Sequence, residues 1–470
     1  AGNSLPYLIG NIYTPLTALF LGFLVFHYNY HFFWFTTPLL FLWLVSPYLA
    51  QRLSIPFSST VNLNSSDKEF LLASAAAVWH YFSETVNEFS NYLPPDSYQG
   101  RIKKIITKTS PTNIGLYLVS CLSAYDLGLI NKSELLRNLK NTMNSIKKLT
   151  RYRGHFYNWY DTSDLSPVKP FFISTVDSGN LLACLIVLRQ ACLSLSFDDL
   201  ALSIDNLISS CDFGFLYNRE RQLFTIGYDL HTGKSGLSYY DLMASEARLT
   251  GFLAIALKQV PTRHWYQLAR PLTASEGNLA LLSWGGSLFE TLFSELFLNS
   301  YSGSLITTSN LTAIKTQIAF GQKNRIPWGI SESAFYRLGS DNTYQYRIFG
   351  IPSLGLKPDL QAYKVISPYS SFLSLPHFPH ESIKNLRRLR SLGLFSTYGF
   401  MEAVDYTSGI KKIVNSYMAH HQAISLVAIN NCLNPHRLTG LFHSYPPVAA
   451  IETLLQEKVP GYPLFVDFDN

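Results

Sequence analysis

The stretch GNLLACLIVLRQACLSL, residues 179–195, decides the fold: in it only Arg189 carries a charge. A helix with one wet face shows a polar stripe every three or four residues, and this run shows none, which predicts a helix covered on all sides. Working outward, other segments are half-covered. Leu136, Leu139, Met143 and Ile146 form an apolar stripe opposite Lys140, Asn144 and Lys147, and Leu249, Phe252, Leu253 and Ala256 repeat at helical spacing. Leu71, Ala75, Val78, Trp79 and Phe82 do the same, with Asn64, Ser65, Ser66 or Asp67 available as caps. Covered and half-covered helices together predict an inner layer inside an outer one. The joining segments, such as 91–96, 154–170, 228–240 and 351–357, are rich in Gly, Pro, Ser and Tyr, and short β pieces are expected near 215–228. From about Ser66 onward there is no evident linker or strict repeat, so the expected fold class is all-α, a single toroid whose loops at one end build the site.

Composition narrows the function. Of 470 residues, 47% are apolar and 14% charged, against a usual charged share of about 25%, which argues against disorder. The net charge of +6 is spread thinly apart from Lys384, Arg387, Arg388 and Arg390. These share a helical segment with Ile383, Leu386 and Leu389 and read as a solvated face; no nucleic acid is expected as a partner. The five cysteines, in apolar runs and without a CxxC pair, read as buried reduced thiols.

No Asp, Glu, Lys or Arg occurs from Ala1 through Gln51. Two apolar blocks, 13–26 and 32–49, compare with the roughly 20 residues a membrane span needs. One or two membrane-inserted helices are expected, with Tyr28, Tyr30 and Trp34 near an interface; a buried helix pair is the alternative. The chain starts without Met inside apolar sequence and is expected to be a piece of something longer. The expected boundaries are a hydrophobic membrane-associated segment over 1–52 and a catalytic domain over 53–470.

Two glutamates read as the chemistry: Glu246 after Tyr239-Tyr240-Asp241, and Glu332 after Trp328-Gly329. Glycosidic bonds are usually broken by a carboxyl pair, and aromatic neighbours let a sugar ring approach while desolvating an acid. His155, Asn158, Trp159, Tyr160 and Asp161, followed by Asp177 and Asn180, interleave rings with polar groups as a carbohydrate subsite does; the plainer reading of Asp161 and Asp177 is helix capping. Tyr344, Gln345, Tyr346 and Arg347 form a second group, and His420, His421 and Gln422 a third. Adjacent histidines point about 100° apart on a helix and suit one metal ion poorly; no metal or other cofactor is expected. Arg248, Trp284 and Trp328 complete the substrate-binding candidates, and Glu402 and Asp405 are second-rank acids. No phosphate-binding loop or GxSxG elbow occurs.

Taken together, YRGHFYNWYDT (152–162), STVDSGN (174–180), DLMASEARL (241–249), VPTRHW (260–265), PWGISES (327–333), YQYRIFGIPSLGLK (344–357) and YMAHHQAISLVA (417–428) strongly resemble the middle domain of bacterial cyclic β-1,2-glucan synthases, as do LPPD (93–96) and TSPTNIGLY (109–117). The matches keep their order over roughly residues 66–455. The resemblance, to a glucoamylase-like domain of glycoside hydrolase family 189, implies an (α/α)6 barrel. It implies a retaining transglycosylase that cuts linear β-1,2-glucan and joins its ends, with Glu246 as nucleophile and Glu332 as acid/base. It further implies flanking glycosyltransferase and phosphorylase-like domains in a longer chain, β-1,2-glucan as partner, and a bacterial inner-membrane location with the catalytic domain on the cytoplasmic face. Ala423 departs from the Gly expected after His-His-Gln. The alternatives are an inverting endo-β-1,2-glucanase, with Asp177 as a candidate base, and a glucan-binding scaffold without chemistry.

Overall fold

A computed structural model of the chain describes residues 12–53 and 63–458. The chain forms two compact units, Ala1–Phe57 and Ser58–Asn470. The first holds helices α1 (Tyr13–Tyr28) and α2 (Tyr30–Leu53), packed on one another. Asn29 joins them, its side chain accepting from Phe32 N–H at 3.2 Å. The window Tyr30–Leu49, with mean hydropathy 1.4, is long and apolar enough to cross a membrane. Phe20, Phe35 and Leu42 stand exposed.

The second unit is mostly helical. Helices α3 (Ser65–Thr85), α4 (Pro111–Asp126), α5 (Lys132–Lys148), α6 (Thr175–Ser194), α7 (Asp198–Ser210), α8 (Arg248–Ala256) and α9 (Arg263–Gln267) are followed by α10 (Leu288–Leu292), α11 (Leu305–Asn324), α12 (Pro368–Leu373), α13 (Pro379–Ser391) and α14 (Ala419–Leu433). The even-numbered ones from α4 to α14 touch in series: α4 on α6, α6 on α8, α10 on α12, α12 on α14, and α14 back on α4. Between α8 and α10 the link is Arg248, whose Nη2 donates to the Thr291 carbonyl at 3.0 Å. Outside them α5 lies on α4, α7 on α6, α9 on α8, α11 on α10 and α13 on α12, while α3 lies on α14 and α4.

Sequence explains the layering. In α6 every residue from Ser178 to Leu188 is buried, as an inner helix without a polar stripe must be. In α5, Leu139, Met143 and Ile146 are buried, with Leu135 in place of the expected Leu136, which is half-buried, while Lys140, Asn144 and Lys147 are exposed. Among the offered caps of α3, Asn64 does the work, accepting from Asp67 N–H at 2.8 Å. Gly179 lets α6 approach α8 closely, since a Cβ there would lie 2.0 Å from Thr250 Oγ1.

One expectation needs adjusting. Strand pairing extends well beyond 215–228: Ser97–Gln99 pairs with Lys104–Ile106 and Ser416–Met418, and Ser333–Leu338 pairs with Tyr344–Arg347. Loops packed over helix ends bury backbone groups, and pairing them is how those groups are satisfied. The basic cluster on α13 is exposed, as expected, while Ile383, Leu386 and Leu389 are buried, and two of its arginines also make surface contacts. Arg387 lies 4.8 Å from the Phe70 ring and 3.0 Å from Asp67 Oδ1, and Arg388 donates to the Arg325 carbonyl.

Candidate active site

The inner helices present their N-terminal ends to one cleft of about 780 Å³. Thr112 and Asn113 come from the first turn of α4, Asp177 and Asn180 from the start of α6, Phe289 from α10 and His420 from the first turn of α14. Glu246 enters two residues before α8, after bridges that pair Leu242 with Ala269 and Ala244 with Ser283. Glu332 enters between the Ile330–Ile366 bridge and the strand Ser333–Leu338.

The two glutamates share this cleft and raise one another's cost of ionisation. Burial, then the charges of Glu332, Glu290 and Asp177, holds the Glu246 carboxyl well above the usual range. Burial and Glu290 push Glu332 up to about 8, opposed by a hydrogen bond from Tyr346 and the charge of Lys357. Tyr346 reaches Glu332 because its strand pairs Tyr346 with Ala334; its hydroxyl donates to Glu332 Oε2 at 3.1 Å. Behind Glu332, the Tyr369 hydroxyl lies 2.9 Å from its carbonyl oxygen and 2.7 Å from Ser331 Oγ. Two carboxyls in one low-dielectric cleft titrate as a pair, the first to ionise opposing the second.

The same cleft is lined by Trp159, Asn158 and Asp177. The Asn158 amide, oriented to satisfy both neighbours, donates to Asp177 Oδ2 at 2.9 Å and accepts from Trp159 Nε1 at 3.0 Å. Lys108 sits 4.1 Å from the centre of the Trp159 ring. A flat ring beside a carboxylate and a cation can hold the apolar face of a sugar while bonding its hydroxyls.

Of the residues singled out from sequence, the cleft therefore brings together Glu246, Glu332, Asn158, Trp159, Asp177, Asn180, Tyr344, Tyr346 and His420. The others lie elsewhere. His155 is buried edge-on to Phe213, and burial lowers its pKa to about 4. Tyr160 is fully buried and accepts from Tyr157 N–H at 2.8 Å. Asp161 closes a turn with Ser163 and takes the Thr107 hydroxyl. Arg248 is buried against α10, and Trp328 packs beside Gly321. Gln422 donates to the Phe400 carbonyl, and Arg347 donates to the Tyr363 hydroxyl at 2.9 Å. Gln345 and Trp284 are exposed, and neither lines the cleft. These positions pair rings with polar groups because the core needs both, and spacing alone does not separate that use from sugar binding.

The second-rank acids also resolve. Glu402 is buried behind Glu332: it accepts from Ala334 N–H at 3.1 Å and meets His421 Nδ1 at 2.9 Å. Burial pushes its carboxyl up to about 7, against the pull of His420 and the Ala334 N–H. His421 in turn stacks on Tyr369 at 3.9 Å. Asp405 takes the Tyr336 and Thr407 N–H groups. Sequence reading missed Glu290, Asp96, Lys108 and Asn113. Glu290 is buried, accepting from Ser283 Oγ, Gly285 N–H and Ser287 Oγ at 2.8–2.9 Å. Asp96 and Asn113 lie within LPPD and TSPTNIGLY, and that was the available signal.

Comparison with known proteins agrees with the motifs. Residues 238–446 match the family model "Glycoamylase: Putative glucoamylase". The chain is 31% identical to the cyclic β-(1,2)-glucan synthase NdvB of Rhizobium meliloti across 90% of its own length. It spans about one fifth of the length of that relative, 20%. Among solved structures, the endo-β-1,2-glucanase of Chitinophaga pinensis superposes with a TM-score of 0.71 at 19% identity, covering 85% of this chain and 99% of that one. The endo-β-1,2-glucanase of Talaromyces funiculosus, in complex with sophorose, gives 0.67 at 15%, covering 87% and 96%. These structural likenesses establish the shared, mostly helical fold. The resemblance to cyclic β-1,2-glucan synthases, read first from the motifs, holds across nearly all of the chain, and the chain is related to glycoside hydrolase-like enzymes.

Proposed function

We propose that the chain is a retaining transglycosylase that closes linear β-1,2-glucan into a ring, the middle part of a cyclic β-1,2-glucan synthase. Glu246 attacks the anomeric carbon and forms a glycosyl-enzyme. Glu332 gives its proton to the departing oxygen, directly or through a substrate hydroxyl, and then takes the proton of the incoming hydroxyl. Supporting this is one observation above all: two acids distant in sequence line one cleft, and Glu332 is held at about 8, high enough to carry the proton it delivers. Trp159, Asn158 and Asp177, in the same cleft, hold the chain, which favours an acceptor end over water. The continuous series of inner helices with its outer partners supports an (α/α)6 toroid over 53–470. The apolar α1–α2 pair supports a membrane-inserted segment over 1–52, and similarity to one fifth of a longer bacterial synthase supports flanking domains in a longer chain.

One asymmetry favours a second reading. Glu246 has three acidic neighbours, whereas Glu332 has a hydroxyl donor and Lys357. That arrangement suits Glu246 as the proton-holding acid of an inverting endo-β-1,2-glucanase, with Asp177 as base. Incubating the protein with linear β-1,2-glucan and weighing the products separates the two. A product lighter by one water than the linear chain of equal length supports ring closure; linear fragments alone refute it.

A further inference from the structure

The adjacent histidines of the sequence divide between two tasks. His420 lines the cleft, whereas His421, the next residue on α14, is buried behind it. There it meets the Glu402 carboxyl, with Nδ1 2.9 Å from Oε1 and 3.0 Å from Oε2. His421 and Glu402 are each 2% exposed and neither lines the cleft, so neither touches a substrate held there. An acid and an imidazole taken out of water cost stability, and apolar side chains of similar size would pack in their place at no loss. What the pair holds gives it a use.

Two connections lead from it to Glu332. The first runs through the backbone. Glu402 Oε1 accepts the Ala334 N–H at 3.1 Å. Ala334 lies two residues after Glu332 and is the register partner of Tyr346, whose hydroxyl donates to Glu332 Oε2. The ladder of that hairpin supports the pair from one side only, since its register shifts between Ala334 and Leu338. The second connection runs through rings. His421 stacks on Tyr369 with centroids 3.9 Å apart and planes 16° from parallel. The Tyr369 hydroxyl in turn meets the Glu332 carbonyl oxygen and Ser331 Oγ. Glu402 is itself fixed: its N–H donates to the Ser416 carbonyl at 2.8 Å, and its carbonyl accepts from Ser367 Oγ at 2.9 Å. One anchored carboxyl thus holds both the strand that follows Glu332 and the ring packed behind it.

We infer that Glu402, braced by His421 and Tyr369, is a positioning residue that holds the Glu332 carboxyl against the Tyr346 hydroxyl. The inference rests on the proposed reading of Glu332 as acid/base and adds what keeps that acid in place. A small displacement of a proton-delivering group costs rate without costing affinity, so the brace acts on turnover.

The test is kinetic, on the full chain. Glu402→Leu removes the acceptor for Ala334 N–H and the partner of His421, while Glu402→Gln keeps an amide that can serve both. Glu402→Leu lowers kcat on linear β-1,2-glucan about ten- to hundredfold with KM within about twofold. The alkaline limb of its kcat/KM moves up by about one pH unit, because the Tyr346 hydroxyl no longer reaches the carboxylate. The charges that bear on the site, those of Glu246, Glu290 and Lys357, are unaltered by the substitution. Glu402→Gln recovers both values. Adding Glu402→Leu to Tyr346→Phe moves the limb no further, the coupling expected if Glu402 acts through that hydroxyl. An unmoved limb, shifts that add, or a loss confined to KM overturns the inference. Should Glu402→Leu fail to fold, Tyr369→Phe, which loses one oxygen and keeps the stack, decides by the same limb. An unmutated protein without turnover on glucan sinks the proposed function alone. The brace is then read from melting temperature, each protein being compared with its Glu332→Gln counterpart. The pH at which the two cease to diverge rises by about one unit in Glu402→Leu; an unchanged pH overturns the brace.

Discussion

Replacing Tyr346 with Phe removes one oxygen, and with it the hydroxyl that donates to Glu332 Oε2 at 3.1 Å. That bond favours the ionised carboxylate, so its loss raises the Glu332 pKa above the present value of about 8. A hydrogen bond to a charged group is worth about 1.5–3 kcal/mol, and about 1.4 kcal/mol corresponds to one pH unit. Tyr346 is 43% exposed, so water replaces part of the lost bond and the expected rise is near the lower end, about one pH unit. The assay is kcat/KM on linear β-1,2-glucan from about pH 5 to pH 10. If Glu332 delivers the proton, activity on the alkaline side fails when Glu332 ionises, so the alkaline limb of Tyr346→Phe moves up by about one pH unit and the acid limb stays. If Glu332 instead acts ionised, the acid limb moves. An acid-limb shift, or no shift in either limb, refutes the assignment of Glu332 as the acid.

Three further outcomes follow from the same geometry. Glu246→Gln and Glu332→Gln each lower turnover about a hundred- to ten-thousandfold while glucan affinity by calorimetry is essentially kept; a matching loss of affinity would point to a binding role alone. Because the folded chain holds the Glu332 proton up to about pH 8 while an unfolded glutamate releases it near pH 4.3, wild-type stability falls as pH rises through that window. Glu332→Gln removes this dependence, so its melting temperature matches wild type at pH 4 and exceeds it at pH 9. Gly179→Ala drives a Cβ to 2.0 Å from Thr250 Oγ1 and 2.8 Å from Thr250 Cα, prying α6 from α8 at a cost of about 1–3 kcal/mol, measurable by thermal or urea unfolding.

How much of this was legible depended on which physical signal the residues carry. Helical periodicity is strong over 71–82, 136–146 and 249–256, and the unbroken apolar run of 179–195 marks α6 as an inner helix without any structure. Glu246 and Glu332 could be found because acids amid aromatic and small residues are unusual. What sequence could not separate was a ring that faces sugar from a ring that faces core. Trp159 lines the cleft, while the adjacent Tyr160 turns inward to Tyr157 N–H. Asp161 and His155, at even steps from Trp159, are claimed by turn closure and packing instead. Glu402 and Glu290 were hidden for a different reason. Their parts depend on partners distant in the chain, Ala334 N–H and His421 for Glu402, and on the charge Glu290 places near the pair, and no local pattern encodes either.

The central claim is a double displacement across Glu246 and Glu332, and stereochemistry tests it most directly. Proton NMR of the earliest products from linear β-1,2-glucan reads the configuration at each anomeric carbon that has been cut. The account predicts that every new linkage or reducing end is β when first formed. A first-formed α-anomer would contradict it and transfer the chemistry to a single displacement by water.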